Sequence, residues 1–365
     1  MAFMALPQRL LMGPGPSNPY PEVAVAAAAP LLGHLDPAFL EEMDEAMDRL
    51  RVLFATSNPL TFPVSGTGSA GMEAAFVNTV ASGDVVVVGI NGLFGQRMAE
   101  VASRHGAEVI AVEAPWGEPL DPGALLAAHP KPKVIALVHA ETSTGVRNDI
   151  AEVGHGKGDA LLLVDTVTSL GGCPVEVDAW GVDLSYSGTQ KCLGVPPGLS
   201  PFTASPRAVE RFVAQPSSWY LDLGLVAQYV QGNEGGGRTY HHTAPTGQVV
   251  ALNAALGAIL DEGLEAGFAR HEEAGRRLQA GLEAMELEML VEASHRLAQL
   301  TTVRIPDGVD DLAVRTELRD RYDIEIGAGV GPLAGKVWRI GCMGHTARLA
   351  NVETLLGALA EVLGR

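Results

Sequence analysis

Six short apolar runs dominate the middle of the chain: "VVVVGI" from Val85, "EVIAVEA" from Glu108, "VIALVHA" from Val134, "LLLVDT" from Leu161, "VDLSYSG" from Val182 and "LSPFTAS" from Leu199. Each is nearly continuous rather than alternating, which suits strands covered on both faces in a buried parallel sheet. Helix-length segments separate most of them, and such alternation indicates an α/β layer architecture. In open sheets of that kind ligands bind beyond the carboxyl ends of the strands. Asp165 closes one such run and Lys191 follows another, so both are expected at that edge.

The flanks have a different character. "GPGPSNPYP", Gly13 to Pro21, is too rich in proline for helix or central strand, because proline lacks the N–H, and it reads as an extended arm. In "FLEEMDEAMDRLRVLFA" the residues Leu40, Met43, Met47, Leu50 and Phe54 fall three and four apart, one apolar face of a helix. A long helical stretch runs from Val249 to Met285 with breaks expected near Gly263 and Gly267. After it come strands in "QLTTVRIPD" and "KVWRIGC", a helix in "AVRTELRDRY" between them, and a terminal helix from Ala347. The division read from this is an arm over 1–21, a large domain over 22–250 and a smaller α+β domain over 251–365. A chain of 365 residues is long enough for roughly two domains.

A net charge of −18 argues against nucleic acid or an anionic membrane as the main partner. Three cysteines without a CxxC pair suggest reduced thiols rather than a zinc site or a disulfide framework. The start lacks the pattern of a secretory signal, no apolar run is long enough to span a bilayer, and the last three residues match no peroxisomal tripeptide. A cytoplasmic location is expected.

Several polar features interrupt this frame. "VSGTGSAGMEAA" contains G-x-G-x-x-G at Gly66 to Gly71. The dinucleotide reading fails because no acid ends the next strand, and a nucleotide P-loop is excluded because no G-K-[ST] follows. What survives is a phosphate site at a helix N-terminus, made by the amides of Thr67, Gly68 and Ser69, or else a turn that merely needs glycine. Asp165 is either a helix cap or a carboxylate partner for a protonated heterocycle nitrogen, since a buried strand-end acid is costly unless paired. "HAETSTG" offers His139, which reads as packed, and Thr142 as a hydroxyl ligand. Phe94 in "GINGLFGQR" is an aromatic on a glycine-flanked loop, and "GGGRTYHHTAP" offers Tyr240, His241, His242 and Thr243. Arg339 in "KVWRIGCMG" is either an ordinary ion-pair residue or a bidentate carboxylate clamp. Lys191 is either a solvated loop lysine or an amine that forms a Schiff base with a carbonyl. Taken together, a phosphate cradle, a strand-end acid, a lysine on the next strand and a distal arginine are what pyridoxal phosphate requires.

At these residues the sequence resembles the class V aminotransferases that use pyridoxal phosphate, in the alanine–glyoxylate and serine–glyoxylate (serine–pyruvate) branch. The resemblance rests on "GPGPSNP", "NPLTFPVSGTGSAGMEAAFVN", "GINGLFGQR", "ETSTGV", "LLLVDTVTSLGG", "YSGTQKCLGVPPGLS", "RTYHHTAP" and "KVWRIGCMG", in that order along nearly the whole chain. It implies the type I aminotransferase fold as a homodimer. It further implies Lys191 as the Schiff-base lysine, Asp165 as the pyridinium partner, and Thr67, Gly68, Ser69 and Gln190 at the phosphate. Phe94 would stack on the ring where many members carry Trp, and Ser69 stands where relatives often carry His. Thr142 would lie near the ring hydroxyl, Tyr240 and Thr243 would reach the phosphate in the partner subunit, and Arg339 would bind the substrate carboxylate. The expected reaction moves an amino group from alanine or serine to glyoxylate or pyruvate by a ping-pong route. A cysteine desulfurase-like lyase of the same fold is the nearest alternative, and a cofactor-binding protein without turnover is another. The desulfurase relatives usually have His directly before the lysine, where this chain has Gln190.

Overall fold

The six apolar runs all form strands of one sheet, and a seventh strand joins them at its edge. A computed structural model describes residues 6–232 and 237–365. The sheet strands are β1 (Leu60–Ser65), β2 (Val85–Ile90), β3 (Glu108–Glu113), β4 (Val134–Val138), β5 (Leu161–Asp165), β6 (Leu184–Tyr186) and β7 (Leu199–Ala204). Their order across the sheet is β1-β7-β6-β5-β4-β2-β3. The reading of all six runs as parallel needs one correction: β7 is antiparallel to both β1 and β6. Its connection from β6, residues 187–198, contains no helix to carry the chain back, so the strand returns in the opposite sense. The other six run one way, and their carboxyl ends share one edge of the sheet.

β1 carries Pro63 and is paired on one side only, the place in a sheet where a missing N–H is tolerated. β4 and β5 are buried at every position, whereas β3, at the opposite edge, is half-exposed along its length. Helices α1 (Pro37–Leu53), α2 (Gly68–Thr79), α3 (Leu93–Arg104) and α4 (Thr246–Glu262) belong to this layer. Met43, Met47 and Leu50 of α1 bury against the same core as the strands. Leu40 and Phe54 flank them, the first partly buried and the second just past the last helical turn.

A second core lies under α5 (Leu264–Ala284), α6 (Asp311–Tyr322) and α7 (Leu349–Leu363). They cover an antiparallel sheet of β8 (Leu300–Arg304), β9 (Gly327–Ala328) and β10 (Val337–Gly341), in the order β8-β10-β9. Trp338 is fully buried at its centre, and its indole N–H donates to Asp311 at 2.9 Å. The long helical stretch breaks once, at Gly263 with φ +87°, while Gly267 continues inside α5. Val249, Leu252, Leu256 and Ile259 of α4 all join the first core. The arm bridges them. Leu10–Leu11 pairs in parallel with Ile324–Glu325, Met12 is buried in the second core, and Ser17 N–H and Tyr20 N–H donate to the carbonyls of Gln190 and Gly194.

Candidate active site

Asp165 is the last residue of β5 and stands in register with Tyr186, the last residue of β6. The carboxylate is buried and accepts two hydrogen bonds, from Val167 N–H at 2.8 Å and from the Tyr186 hydroxyl at 2.8 Å. Burial pushes its pKa up to about 7 against the pull of those two donors. Lys191 lies in the loop that follows β6 and is also buried. Its ammonium donates to the Pro14 carbonyl of the arm, and Ser17 Oγ donates to the Lys191 carbonyl at 2.7 Å. Burial, then the Arg339 guanidinium, lowers the Lys191 pKa to about 8, with Asp165 acting in the opposite sense. The solvated-lysine reading is thereby ruled out.

The glycine-rich loop enters α2 with Thr67 as an extended N-cap whose side chain makes no capping bond. Gly66 has φ +135°, a conformation that favours glycine. A Cβ on Gly68 would stand 3.0 Å from Val167 Cγ2 and 3.3 Å from the Ser187 carbonyl, so glycine lets the helix end approach the Asp165 loop. Thr67 and Ser69 are exposed, leaving the positive end of the dipole open to an anion. Gln190 Oε1 is buried and has no hydrogen-bond partner. A phosphorylated heterocycle with a basic ring nitrogen and a carbonyl fits this donor set: an open helix N-terminus, a buried carboxylate and a buried amine.

Phe94 sits in the first turn of α3 with Arg97 over its ring at 5.0 Å. Its amide donates at 3.1 Å to Glu141, a fully buried acid at the end of the short strand Ala140–Glu141 that follows β4. Thr142, beside that acid, offers its carbonyl to Arg339 Nη1 at 3.1 Å. Arg339, on β10, also donates from Nε to the Ala328 carbonyl at 2.7 Å. Among the described residues no carboxylate stands within ion-pair distance of it, so its charge remains open to a ligand. Asp165 and Arg339 are both close enough to Lys191 to shift its titration. Sequence reading passed over Tyr186, Glu141 and Ser143. The first could be found by counting β5 and β6 into register. The other two look like ordinary loop residues until they are seen buried.

Tyr240 and Thr243 are placed elsewhere. Both are exposed, their hydroxyls are 3.3 Å apart, and the Tyr240 ring lies 5.0 Å from His34. Among the described residues no hydrogen bond joins either to the Lys191 group. Arg238 is committed to Asp44 of α1 at 2.5 Å. His139 is a packed residue: it is buried, edge-on to Trp180 at 5.1 Å, with its pKa lowered to about 4 by burial. Burial raises all three thiols, Cys173 and Cys342 to about 12 and Cys192 further. Among the described residues no group of His, Cys, Asp and Glu is arranged to hold a metal ion, and no helix is long and apolar enough to cross a membrane.

Comparison with known proteins points the same way. Residues 24–348 match the family model for aminotransferase class V. The chain is 38% identical to the (S)-ureidoglycine–glyoxylate transaminase of Bacillus subtilis, covering 99% of this chain and 92% of that protein. It is 40% identical to the alanine–glyoxylate aminotransferase of Drosophila melanogaster, covering 98% and 93%. The crystal structure of the alanine–glyoxylate aminotransferase from Nostoc sp. superposes with a TM-score of 0.95 at 48% identity, covering 100% of this chain and 97% of that one.

Proposed function

From its membership of the class V aminotransferases, the family to which this chain belongs, we propose that it moves the amino group of a small amino acid, alanine or serine, to glyoxylate or pyruvate. The chain is an aminotransferase of the type I fold and its cofactor is pyridoxal phosphate. When bound, that group supplies a carbonyl for an amine and a ring that accepts the electrons released at the substrate carbon. Every other task falls to the protein.

One observation carries the reading: a buried carboxylate of raised pKa at the end of β5 and a buried amine of lowered pKa in the loop after β6 lie beside an uncapped helix N-terminus. Lys191 is the attachment point. With its pKa near 8 it is neutral in an appreciable fraction at physiological pH, so it can take the α-proton of the substrate and return it. Asp165 holds a proton on the ring nitrogen, and Tyr186 and Val167 fix its orientation. The amides of Thr67, Gly68 and Ser69, with Gln190, hold the phosphate, and Phe94 covers one face of the ring beside Thr142. Arg339 clamps the carboxylate that amino and oxo acids share. Tyr240 and Thr243 serve the site of a second copy, a reading supported by their exposure and by the lack, among the described residues, of a hydrogen bond from either to the Lys191 group. The enzyme is then a homodimer of cytoplasmic type with two shared sites, acting by two successive half-reactions at each. A desulfurase reading would need an accessible thiolate, and burial keeps the thiols of Cys173, Cys192 and Cys342 protonated.

The test has two parts. Borohydride reduction of the holoenzyme should fix the cofactor on Lys191, and a label on any other lysine would overturn the assignment. A panel of amino donors against glyoxylate, pyruvate and 2-oxoglutarate, followed through the cofactor's absorbance, should give parallel double-reciprocal lines for alanine or serine with glyoxylate or pyruvate. Turnover restricted to other donors or acceptors would refute the substrate reading.

A further inference from the structure

Glu141 has no place in the mechanism above, yet it is fully buried among the groups that do. Its carboxylate accepts from Ser143 N–H at 3.0 Å, from Ser143 Oγ at 2.6 Å and from Phe94 N–H at 3.1 Å. Ser143 Oγ in turn accepts from Leu93 N–H at 2.9 Å. The first turn of α3, whose N-cap is Gly92 and therefore has no side chain to cap it, takes its cap from another element. The fit is close. A Cβ on Gly92 would collide with Glu141 Cδ and with Ser143 Oγ. The same residue, Glu141, also fixes the turn it belongs to, because its carbonyl accepts from Gly145 N–H at 2.7 Å. That turn presents the Thr142 carbonyl to Arg339.

We propose that Glu141 is a positioning residue, which through one buried carboxylate holds the Phe94 ring and the Arg339 guanidinium at a fixed separation across the pocket. A buried carboxylate is costly unless hydrogen bonds and dipoles compensate it, and here the start of α3 does so. That compensation is available in one geometry only, which indexes α3 to the 141–145 turn. The two ligand-facing groups sit on different elements, α3 and β10, and the route between them runs Phe94 N–H, Glu141, Thr142 carbonyl, Arg339. The titratable and charged groups facing this carboxylate are Asp165, Tyr186, Lys191 and Arg339. The proposal rests on the roles given above to Phe94 and Arg339.

Glu141→Gln tests it in the holoenzyme. An amide keeps one acceptor oxygen and turns an NH2 toward a backbone N–H, so at least one of the three bonds is lost. The expected result is a coupled change: the cofactor dissociation constant and the KM of both amino and oxo acid each rise about tenfold. The circular dichroism of the bound cofactor should fall as the ring loses its fixed orientation. Ser143→Ala removes one of the same bonds and should move the same readouts by a smaller factor. It decides the question if Glu141→Gln does not fold. A folded variant with a lower melting temperature but with dissociation constant, dichroism and KM all within twofold of wild type would overturn the proposal. Phe94→Leu should change only the cofactor readouts, and Arg339→Ala only the KM values. If those two controls leave their readouts unchanged, the roles of Phe94 and Arg339 fail, and the proposal fails with them.

Discussion

Replacing Asp165 by asparagine should make the apoprotein more stable at alkaline pH while disabling the holoenzyme. Burial raises the Asp165 pKa from 3.8 to about 7 in the chain without cofactor. A carboxyl group whose folded pKa is raised contributes stability in full below 3.8, and that contribution is lost as pH climbs through about 7. Each pKa unit corresponds to about 1.4 kcal/mol, so the interval from about pH 5 to about pH 8 removes about 3 kcal/mol from the wild type. The asparagine side chain is an uncharged isostere that does not titrate. Lys191 loses a neighbouring negative charge in the same variant, which works the other way, so the expected net swing is about 2 kcal/mol. Lys191 itself has a lowered folded pKa, so in the wild type its own contribution is present above 10.5 and is lost as pH falls through about 8; without the Asp165 charge it is lowered further. The assay is urea denaturation of both apoproteins at fixed concentration at the two pH values. The difference in stability, Asp165→Asn minus wild type, should become more favourable by that amount on going from the lower pH to the higher. With cofactor bound the order should reverse, because the wild-type carboxylate then faces a protonated ring nitrogen. A difference that stays constant between the two pH values would refute the reasoning, since Asp165 would then not titrate in this range in the folded apoprotein. Near wild-type turnover in the variant would refute its role at the ring.

Arg339→Ala should raise KM for both the amino acid and the oxo acid, by about tenfold or more for loss of a charged hydrogen-bonded clamp, with unchanged values sending the search to another cation. Site sharing is tested by mixing two crippled proteins, Lys191→Ala and Thr243→Asp, each inactive alone because one lacks the amine and the other sets a charge against the phosphate. Random refolding into heterodimers should restore roughly a quarter of wild-type activity, because one site in each heterodimer escapes both changes. A mixture as inactive as its components, while wild type refolds to full activity, would place Thr243 and Lys191 in the same subunit's site or remove Thr243 from the phosphate.

The strands of the large sheet were legible because apolar residues on both faces leave no other economical placement for such short runs. Direction was not, since nothing in "LSPFTAS" says which way it runs; only the helix-free connection before it does. β1 does not stand out in the sequence, because Pro63 at its centre argues against a strand unless the edge position is known. Within the site, Lys191, Asp165 and the glycine-rich loop stand out because each breaks an apolar context. Glu141 does not, because it sits among polar residues where an acid reads as solvated, and its burial is a product of packing between α3 and the turn. Tyr186 hides for the opposite reason: it looks like one more apolar strand residue, and only the register with Asp165 gives its hydroxyl a task. Gln190 was recognisable through the motif around Lys191, but the unpartnered state of its carboxamide oxygen is visible only in three dimensions.

The arm has a consequence for how the molecule comes into being. Leu10 and Met12 N–H donate to the carbonyls of Asp323 and Glu325, the Met12 carbonyl accepts from Gly341 N–H, and Ser17 and Tyr20 bond to Gln190 and Gly194. The arm's partners therefore lie far along the chain, some at Gln190 and Gly194 and others at 323–341. Contacts so distant in sequence are slow to form, and until they do the Lys191 pocket lacks one of its walls. A nascent chain can complete the large sheet and its helices while the Lys191 amine still lies open. The pocket is walled only once the arm lies between the two cores, Pro14 and Ser17 against Lys191, like the last stitch in a seam.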